Sequence, residues 1–275
     1  LDAGVAEGLP ITFLSDYGSD DEFAGVCRAV INQIAPDASL VDLTHGIERQ
    51  GVRHGALALL NALPFCPPGV HLAVVDPGVG TARRPVAVTT TEEGRFLVGP
   101  DNGLLGPAIE RFGGAARAID LSRSPFRLEP VSHTFHGRDL FAPVAAHLAL
   151  GATLDEAGEK FDPAELAPLE LPEPQIEPGR VRAHALLIDR YGNVSLDLDS
   201  DSASRGSLAA GGRFEVRAPD GRFEGAWVRT FAEVERGDVL LYENASGRMT
   251  LAVNGGSAAG LLDLRPDAEV EFRPL

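Results

Sequence analysis

The chain has few cysteines, no long apolar run and a shortage of positive charge, and each lack removes a class of function. Only Cys27 and Cys66 occur in 275 residues. Neither has a CxxC neighbour, so there is no zinc-ribbon or dithiol redox motif. Both lie among apolar residues, where a thiol behaves as a small inert hydrophobe. Such sparse cysteine predicts a reducing, cytoplasmic setting. No stretch reaches the roughly 18 consecutive apolar residues that a membrane-spanning helix needs. Leu1 to Pro10 carries Asp2 and Glu7 and no basic residue, so it has neither the charged start nor the apolar centre of a secretory signal. It also lacks an initiator Met and is left out of the fold argument. Lys and Arg total 24 against 40 Asp and Glu, a formal net charge of −16. Such a surface repels phosphates, which argues against nucleic acid or an anionic membrane as partner and is compatible with a cationic ligand. The same excess also serves plain solubility.

What is present is an ordinary globular composition, 44% hydrophobic and 23% charged. The first half alternates short apolar runs with segments of helical spacing. Ile11 to Leu14, Leu40 to Leu43 and Val70 to Val75 read as strands. Phe23 to Ile34, Val52 to Leu63, Leu104 to Arg111 and Leu140 to Leu150 read as helices. Val86 to Val88 and Phe96 to Val98 read as a pair around a turn at Glu93-Gly94. This order predicts an N-terminal α/β domain over residues 1–165, with a largely parallel central sheet flanked by helices. Five prolines crowd Asp162 to Arg180, so residues 166–180 read as a linker. Residues 181–275 then carry short runs with frequent turns: Ala185 to Ile188, Val194 to Leu198, Arg213 to Val216, Trp227 to Thr230, Val239 to Tyr242 and Met249 to Val253. That spacing predicts a smaller C-terminal antiparallel β-barrel domain. No internal repeat is apparent.

Ligands of open α/β sheets bind beyond the carboxyl ends of the strands, and three polar clusters fall at such ends. They are Ser15 to Asp21, Asp76 to Gly80 with Arg83 and Arg84 behind it, and Thr134 to Asp139. Each has a plainer use. Asp16 suits an Asx turn or a helix cap, Asp76-Pro77-Gly78 a bare turn, and Asp139 the cap of the helix that follows. His136 suits a loop histidine. Gly78-Val79-Gly80 is too short for a dinucleotide fingerprint.

Taken together, the clusters are specific. SDYG at Ser15, VVDPGVG at Val74 with Arg83 behind it, GPDNGLL at Gly99 and TFHGRDLFAP at Thr134 resemble, in order, the S-adenosyl-L-methionine (SAM) hydroxide adenosyltransferase family, relatives of the SAM-dependent fluorinase and chlorinase. Ile188 to Asn193 and Ala252 to Ala259 extend the resemblance to the C-terminus. It implies cleavage of SAM by water to adenosine and L-methionine, with SAM as substrate and no cofactor or metal. It implies Asp76, Arg83 and His136 as the set that positions the water. Asp16 would take the ribose hydroxyls, and Asp21 and Asp189 would lie near the methionine ammonium. Tyr191 and Phe231 would flank adenine, and Asn193 and Asn254 would meet its polar edge. Thr134, Phe135 and Ser246 complete the implied binding set. Two departures bear on it: Gln50 stands where the fluorinase type has an aromatic, and Ala245-Ser246 where that type has the Ser-Arg of the carboxylate contact. The fluorinase type also has Tyr at Asp76 and Tyr-Ser at His136-Gly137. A carboxylate at 76 would repel a halide at contact distance, so halogenation is disfavoured. A sensor that only binds SAM or adenosine would not need the three-residue set. The family implies a homotrimer with sites between subunits.

Overall fold

A computed structural model describes residues 8–275; the reading of Leu1 to Pro10 falls, for residues 1–7, outside the described residues. The chain divides into two units, residues 1–169 and 170–275.

The first unit is built on β1 (Ile11–Ser15), α1 (Phe23–Ile34), β2 (Leu40–Thr44), α2 (Val52–Ala62), β3 (Val70–Val74), β4 (Pro85–Thr90), β5 (Phe96–Pro100), α3 (Gly106–Arg111), β6 (Ala115–Asp120), α4 (Ala142–Ala149), the short α5 (Leu154–Ala157) and β7 (Glu159–Phe161). The sheet order is β2-β1-β3-β5-β4-β6-β7. The β2-β1-β3-β5 pairs are parallel and the β5-β4-β6-β7 pairs antiparallel. The sheet is therefore parallel in one half only, a narrower result than the sequence predicts. β1 and β3 are buried at every position because helices cover both faces. Their alternate side chains feed separate cores. Ile11, Phe13, Leu72 and Val74 pack with α1 and α4, while Leu14 and Ala73 pack with α2 and α3. α1 turns Ala24, Cys27 and Ile31 inward, a helical stripe of one residue per turn or so. α4 has no polar face toward solvent because it is buried almost all round.

One polar cluster lies inside this unit, at the second residues of β1 and β3. Thr12 Oγ1 is 2.9 Å from His71 Nδ1, and Arg95 Nη1 is 3.1 Å from His71 Nε2. Arg95 can only donate, so Nε2 accepts and Nδ1–H donates to Thr12. Burial, and after it the Arg95 charge, push the His71 pKa down to about 3. This histidine is a neutral structural link.

The second unit contains β8 (Gln175–Glu177), β9 (Arg180–Ile188), β10 (Val194–Leu196), β11 (Arg213–Ala218), β12 (Gly221–Trp227), β13 (Val239–Glu243), β14 (Met249–Val253) and β15 (Glu269–Pro274). Seven of them, in the order β10-β14-β13-β12-β11-β15-β9, close into a barrel because β9 also pairs with β10. The length of β9 allows this: residues 181–184 pair with β15 and residues 185–188 with β10. β12 and β13 run parallel, the one exception to antiparallel order in the barrel. Val216, Leu241, Leu251 and the edge-on pair Phe214–Phe272 fill the interior.

Three expectations need correction. β8 forms within the proline-rich stretch, on the three residues Gln175–Glu177 between Pro174 and Pro178, and pairs with the start of β9. The strand expected at Trp227 to Thr230 instead ends at Trp227 and begins at Gly221, because Arg213–Ala218 and Gly221–Trp227 form a hairpin across Pro219-Asp220. β6, β7 and β15 are additional strands, each too polar or too short to stand out in the sequence.

Candidate active site

The chain leaves β1 toward β2 at one sheet edge and leaves β3 toward the opposite half of the sheet. The crevice between those strand ends is a topological switch point. A cleft of about 440 Å³ lies there, walled by the loop after β1, the loop after β3 and the loop that enters α4.

Asp76 stands two residues past the end of β3 and is held from both sides. Asn102, from the GPDNGLL stretch, donates through Nδ2 to the Val75 carbonyl at 2.9 Å and accepts the Leu104 N–H at 3.2 Å. Downstream, Thr81 Oγ1 donates to the Gly78 carbonyl at 2.6 Å and accepts the Arg83 N–H at 3.3 Å. This turn folds Arg83 back onto Asp76. Gly80, at φ +76, brings the backbone so near the His133 carbonyl that a Cβ would not fit, and so lets the His136 loop approach.

Arg83 grips Asp76 with two bonds, Nε to Oδ1 at 3.0 Å and Nη2 to Oδ2. A forked guanidinium on a carboxylate fixes both in orientation. Each side chain is only 7% exposed. The guanidinium also lies 5.4 Å from the centre of the Phe141 ring. Its Nη2 is 3.2 Å from His136 Nδ1. Since arginine cannot accept, Nδ1 must, and a neutral His136 carries its proton on Nε2. Burial, then the Arg83 charge, hold the His136 pKa below the ordinary imidazole value, with Asp76 opposing.

Asp139 does not cap a helix. Its carboxylate is buried, accepts the Ser132 N–H at 2.8 Å and pairs with Arg138. It ties down the loop that presents Thr134 and His136. The chain then enters α4 through a π-helical turn, Gly137–Phe141.

Asp16 is half-buried on the cleft wall. It caps no helix, because α1 starts seven residues later at Phe23. Its Oδ2 accepts the Gln50 N–H at 2.9 Å, and Gln50 adopts φ 60 to make the bond. Asp21 and Thr134 line the same cleft and are exposed. Phe135 does not line it; its ring packs behind Tyr17 and Phe23 and under Arg138. The sequence reading passed over Tyr17, Phe23, Arg49, Pro77 and Val79, which also line the cleft. Of these, Tyr17 had a signal, being part of the SDYG motif.

In the second unit, Asp189, Tyr191 and Asn193 share the β9–β10 turn. The Asp189 carboxylate accepts the backbone N–H groups of Tyr191 at 2.8 Å and Asn193 at 3.0 Å, and Asn193 Nδ2 at 2.7 Å. Asp189 and Asn193 are thus engaged with each other, and their first task is to shape the turn. Tyr191 is left 70% exposed. Asn254 Nδ2 donates to the carbonyls of Phe231 at 3.1 Å and Val234 at 2.9 Å, which sets the Phe231 backbone and leaves Oδ1 for another donor. Phe231 packs on Tyr242 with ring centres 5.3 Å apart. Tyr242 has its pKa raised by burial and then by Asp189, so these residues share one neighbourhood. Ser246 is exposed on the β13–β14 turn, its N–H held by Asn244 Oδ1 at 2.9 Å. Asn244, which sequence reasoning missed, also reaches Ser195 and Thr250. Among the described residues, no group of three or more His, Cys, Asp and Glu is placed to hold a metal ion, and no helix is long and apolar enough to cross a membrane.

A half-parallel αβα unit with a guanidinium-clamped carboxylate at its switch point, followed by a closed barrel, defines a two-domain class of α/β enzymes. Within that class the chain belongs to the SAM hydroxide adenosyltransferase family, whose N-terminal domain matches residues 11–158 and whose C-terminal domain matches residues 183–271. It is 42% identical to an (R)-S-adenosyl-L-methionine hydrolase of Salinispora tropica, over 93% of this chain and 94% of that protein. A fluorinase of Actinopolyspora mzabensis is more distant, 28% identical over 94% of this chain and 95% of its own. Among solved structures, an uncharacterized conserved protein from Thermotoga maritima superposes with a TM-score of 0.88 at 34% identity, covering 96% of this chain and 99% of that one.

Proposed function

We propose that this protein hydrolyses SAM to adenosine and L-methionine, by in-line attack of one water on C5′ of the ribose. The observation that carries the reading is the contiguous Asp76–Arg83–His136 set on the wall of a cleft that also holds Asp16. The leaving group is a neutral thioether, so its departure needs no acid. The C5′–O bond forms as the C5′–S bond breaks, and the electron pair goes to sulfur. The water loses one proton on the way. Arg83 occupies one lone pair on each Asp76 oxygen, and a carboxylate has about four. Asp76 therefore keeps acceptor capacity for that proton. His136, with Nδ1 turned to Arg83, offers Nε2–H, so it orients the water as a donor rather than deprotonating it. Holding the water in line supplies much of the rate gain.

The test is incubation with each sulfonium epimer of SAM, (R) and (S), in ¹⁸O-labelled water, with adenosine and methionine followed by chromatography and mass spectrometry. Label in the adenosine 5′-hydroxyl is expected, with the (R) epimer preferred, as the relative's name suggests. Unlabelled adenosine would sink direct displacement. Absence of turnover would leave a SAM- or adenosine-binding protein, and 5′-chloroadenosine in added chloride would mark a halogenase.

The His136 tautomer sets a pH dependence. Protonation of Nδ1 would place two donors face to face with Arg83. Activity should fall only as the pH drops below the ordinary imidazole value of 6.5, because the folded protein resists that proton. A kcat profile with its acid limb at or above 6.5 would contradict the assignment.

The reading extends to a homotrimer of the cytoplasm, consistent with two free cysteines, in which Asp189, Tyr191, Asn193 and Asn254 of one subunit serve the cleft of another. Variants Asp76→Asn and Asn193→Ala, each inactive alone, should regain part of the activity when mixed after dissociation and reassociation. No recovery after demonstrated subunit exchange would mean that each chain acts alone. Residues 1–165 expressed alone should not turn over.

A further inference from the structure

Tyr17 follows Asp16 on the cleft wall, and three rings hold it edge-on or tilted: Phe13 at 6.4 Å, Phe135 at 5.8 Å and Phe23 at 6.0 Å between ring centres. Such pairs favour the edge-to-face arrangement and restrict the ring. The clamp brings the hydroxyl against the backbone of Gly137, next to His136. A Cβ at position 137 would overlap Tyr17 Oη and lie 3.0 Å from Cζ. Glycine at 137 and tyrosine at 17 are therefore a matched pair, and the backbone of Gly137 needs no special conformation to explain it. Both residues line the cleft with Asp76 and His136. Burial, above all, raises the Tyr17 pKa; Cys27, Asp16 and Asp76 raise it further while Arg83 opposes, so the hydroxyl is neutral. It makes no hydrogen bond to another described residue, since the only bond of Tyr17 outside regular structure is from its backbone N–H. Tyr17 is half-buried on the cleft wall, so its hydroxyl is open to a group in the cleft.

We propose that Tyr17 is a further catalytic residue, whose hydroxyl holds the attacking water against Asp76 and His136 in space that only glycine at 137 leaves open. The inference rests on the hydrolase reading above. A water that attacks C5′ with one lone pair has one lone pair and two hydrogens left. His136 Nε2–H meets the lone pair, Asp76 takes the hydrogen that is lost, and Tyr17 Oη accepts the other. The tyrosine neither gains nor loses a proton across the step; the proton leaves through Asp76 to solvent. With all three positions filled, the water has one orientation, and the residues that fill them come from three different loops.

The experiment compares the wild type, Tyr17→Phe, Gly137→Ala and the double variant for kcat, for KM with SAM and for the affinity of adenosine. Turnover by the wild type tests the hydrolase reading itself, so the two failures are separable. Tyr17→Phe keeps the ring in its clamp. It should lower kcat about 10- to 100-fold, the worth of one hydrogen bond made in the transition state, with KM and adenosine affinity within about threefold. Gly137→Ala should lower kcat at least as much by pushing the hydroxyl away. In the double variant the clashing oxygen is gone, so its kcat should be no lower than that of the worse single variant. A kcat for Tyr17→Phe within twofold of wild type would overturn the proposal. So would a loss carried entirely in KM, or single effects that multiply in the double variant.

Discussion

Asp76→Asn should lower kcat by about a thousandfold, some 4 kcal/mol of barrier, and leave SAM affinity within a few-fold. The asparagine keeps the shape of the side chain and one carbonyl oxygen for Arg83, but it replaces an anionic acceptor with an amide. The water then has no group that can take its proton as C5′–O forms. Binding should be spared, because the proposal gives the ribose to Asp16 and only the water to Asp76. Asparagine is a cleaner choice than alanine. Asp76 and Arg83 are both 7% exposed, and removing one partner of a buried pair costs about 3–5 kcal/mol of stability. Alanine loses both bonds to Arg83 and asparagine one, its amide N–H facing the other Arg83 donor, so the alanine variant mixes more unfolding with lost chemistry. The measurement is single-turnover kinetics beside a binding isotherm and a melting curve. Wild-type turnover by Asp76→Asn would remove the carboxylate from the mechanism and return the site to a binding role.

The parts of this protein legible in its sequence are those with a strong local signature. β1 and β3 are continuous apolar runs because helices cover both faces of the sheet, and such runs end where the polar loops of the site begin. The hairpin of β4 and β5 was marked by Glu93-Gly94, with Glu93 at φ 59 and Gly94 at φ 60. What stayed hidden depends on distant partners. β15 has alternating glutamates and reads as a solvated segment until β9 and β11 are placed on either side of it. Gly221–Gly225 looks like a loop but is half of a hairpin. At the site, Asp76, Arg83 and His136 were named from motif order. The direction of the Arg83–His136 bond, which decides what the imidazole can do, was not, since it depends on a turn at Thr81 and a close backbone approach at Gly80. Tyr17 was hidden for the same reason: a tyrosine in a motif says nothing about where its hydroxyl ends, and only the glycine facing it does.

Asp16→Asn should weaken SAM and adenosine together, each by about 10- to 100-fold, while methionine binding is unchanged. SAM and adenosine share the ribose, and methionine does not have it. A carboxylate accepts from two vicinal hydroxyls at once, and Asp16 has lone pairs to spare because Gln50 N–H uses one of them, at 2.9 Å. Asparagine preserves that bond through its carbonyl oxygen, so the loop that carries Gln50 keeps its conformation. What it loses is the second anionic acceptor, and it adds an N–H that faces hydroxyl groups already donating. The effect should fall on binding rather than on the chemical step, since Asp16 does not meet the water, and kcat at saturating SAM should change by less than tenfold. 2′,3′-Dideoxyadenosine isolates the contact. It should bind wild type weakly, and it should bind Asp16→Asn no more weakly than that. If the variant lost affinity for the dideoxy nucleoside as much as for adenosine, Asp16 would be shaping the cleft and not holding the ribose.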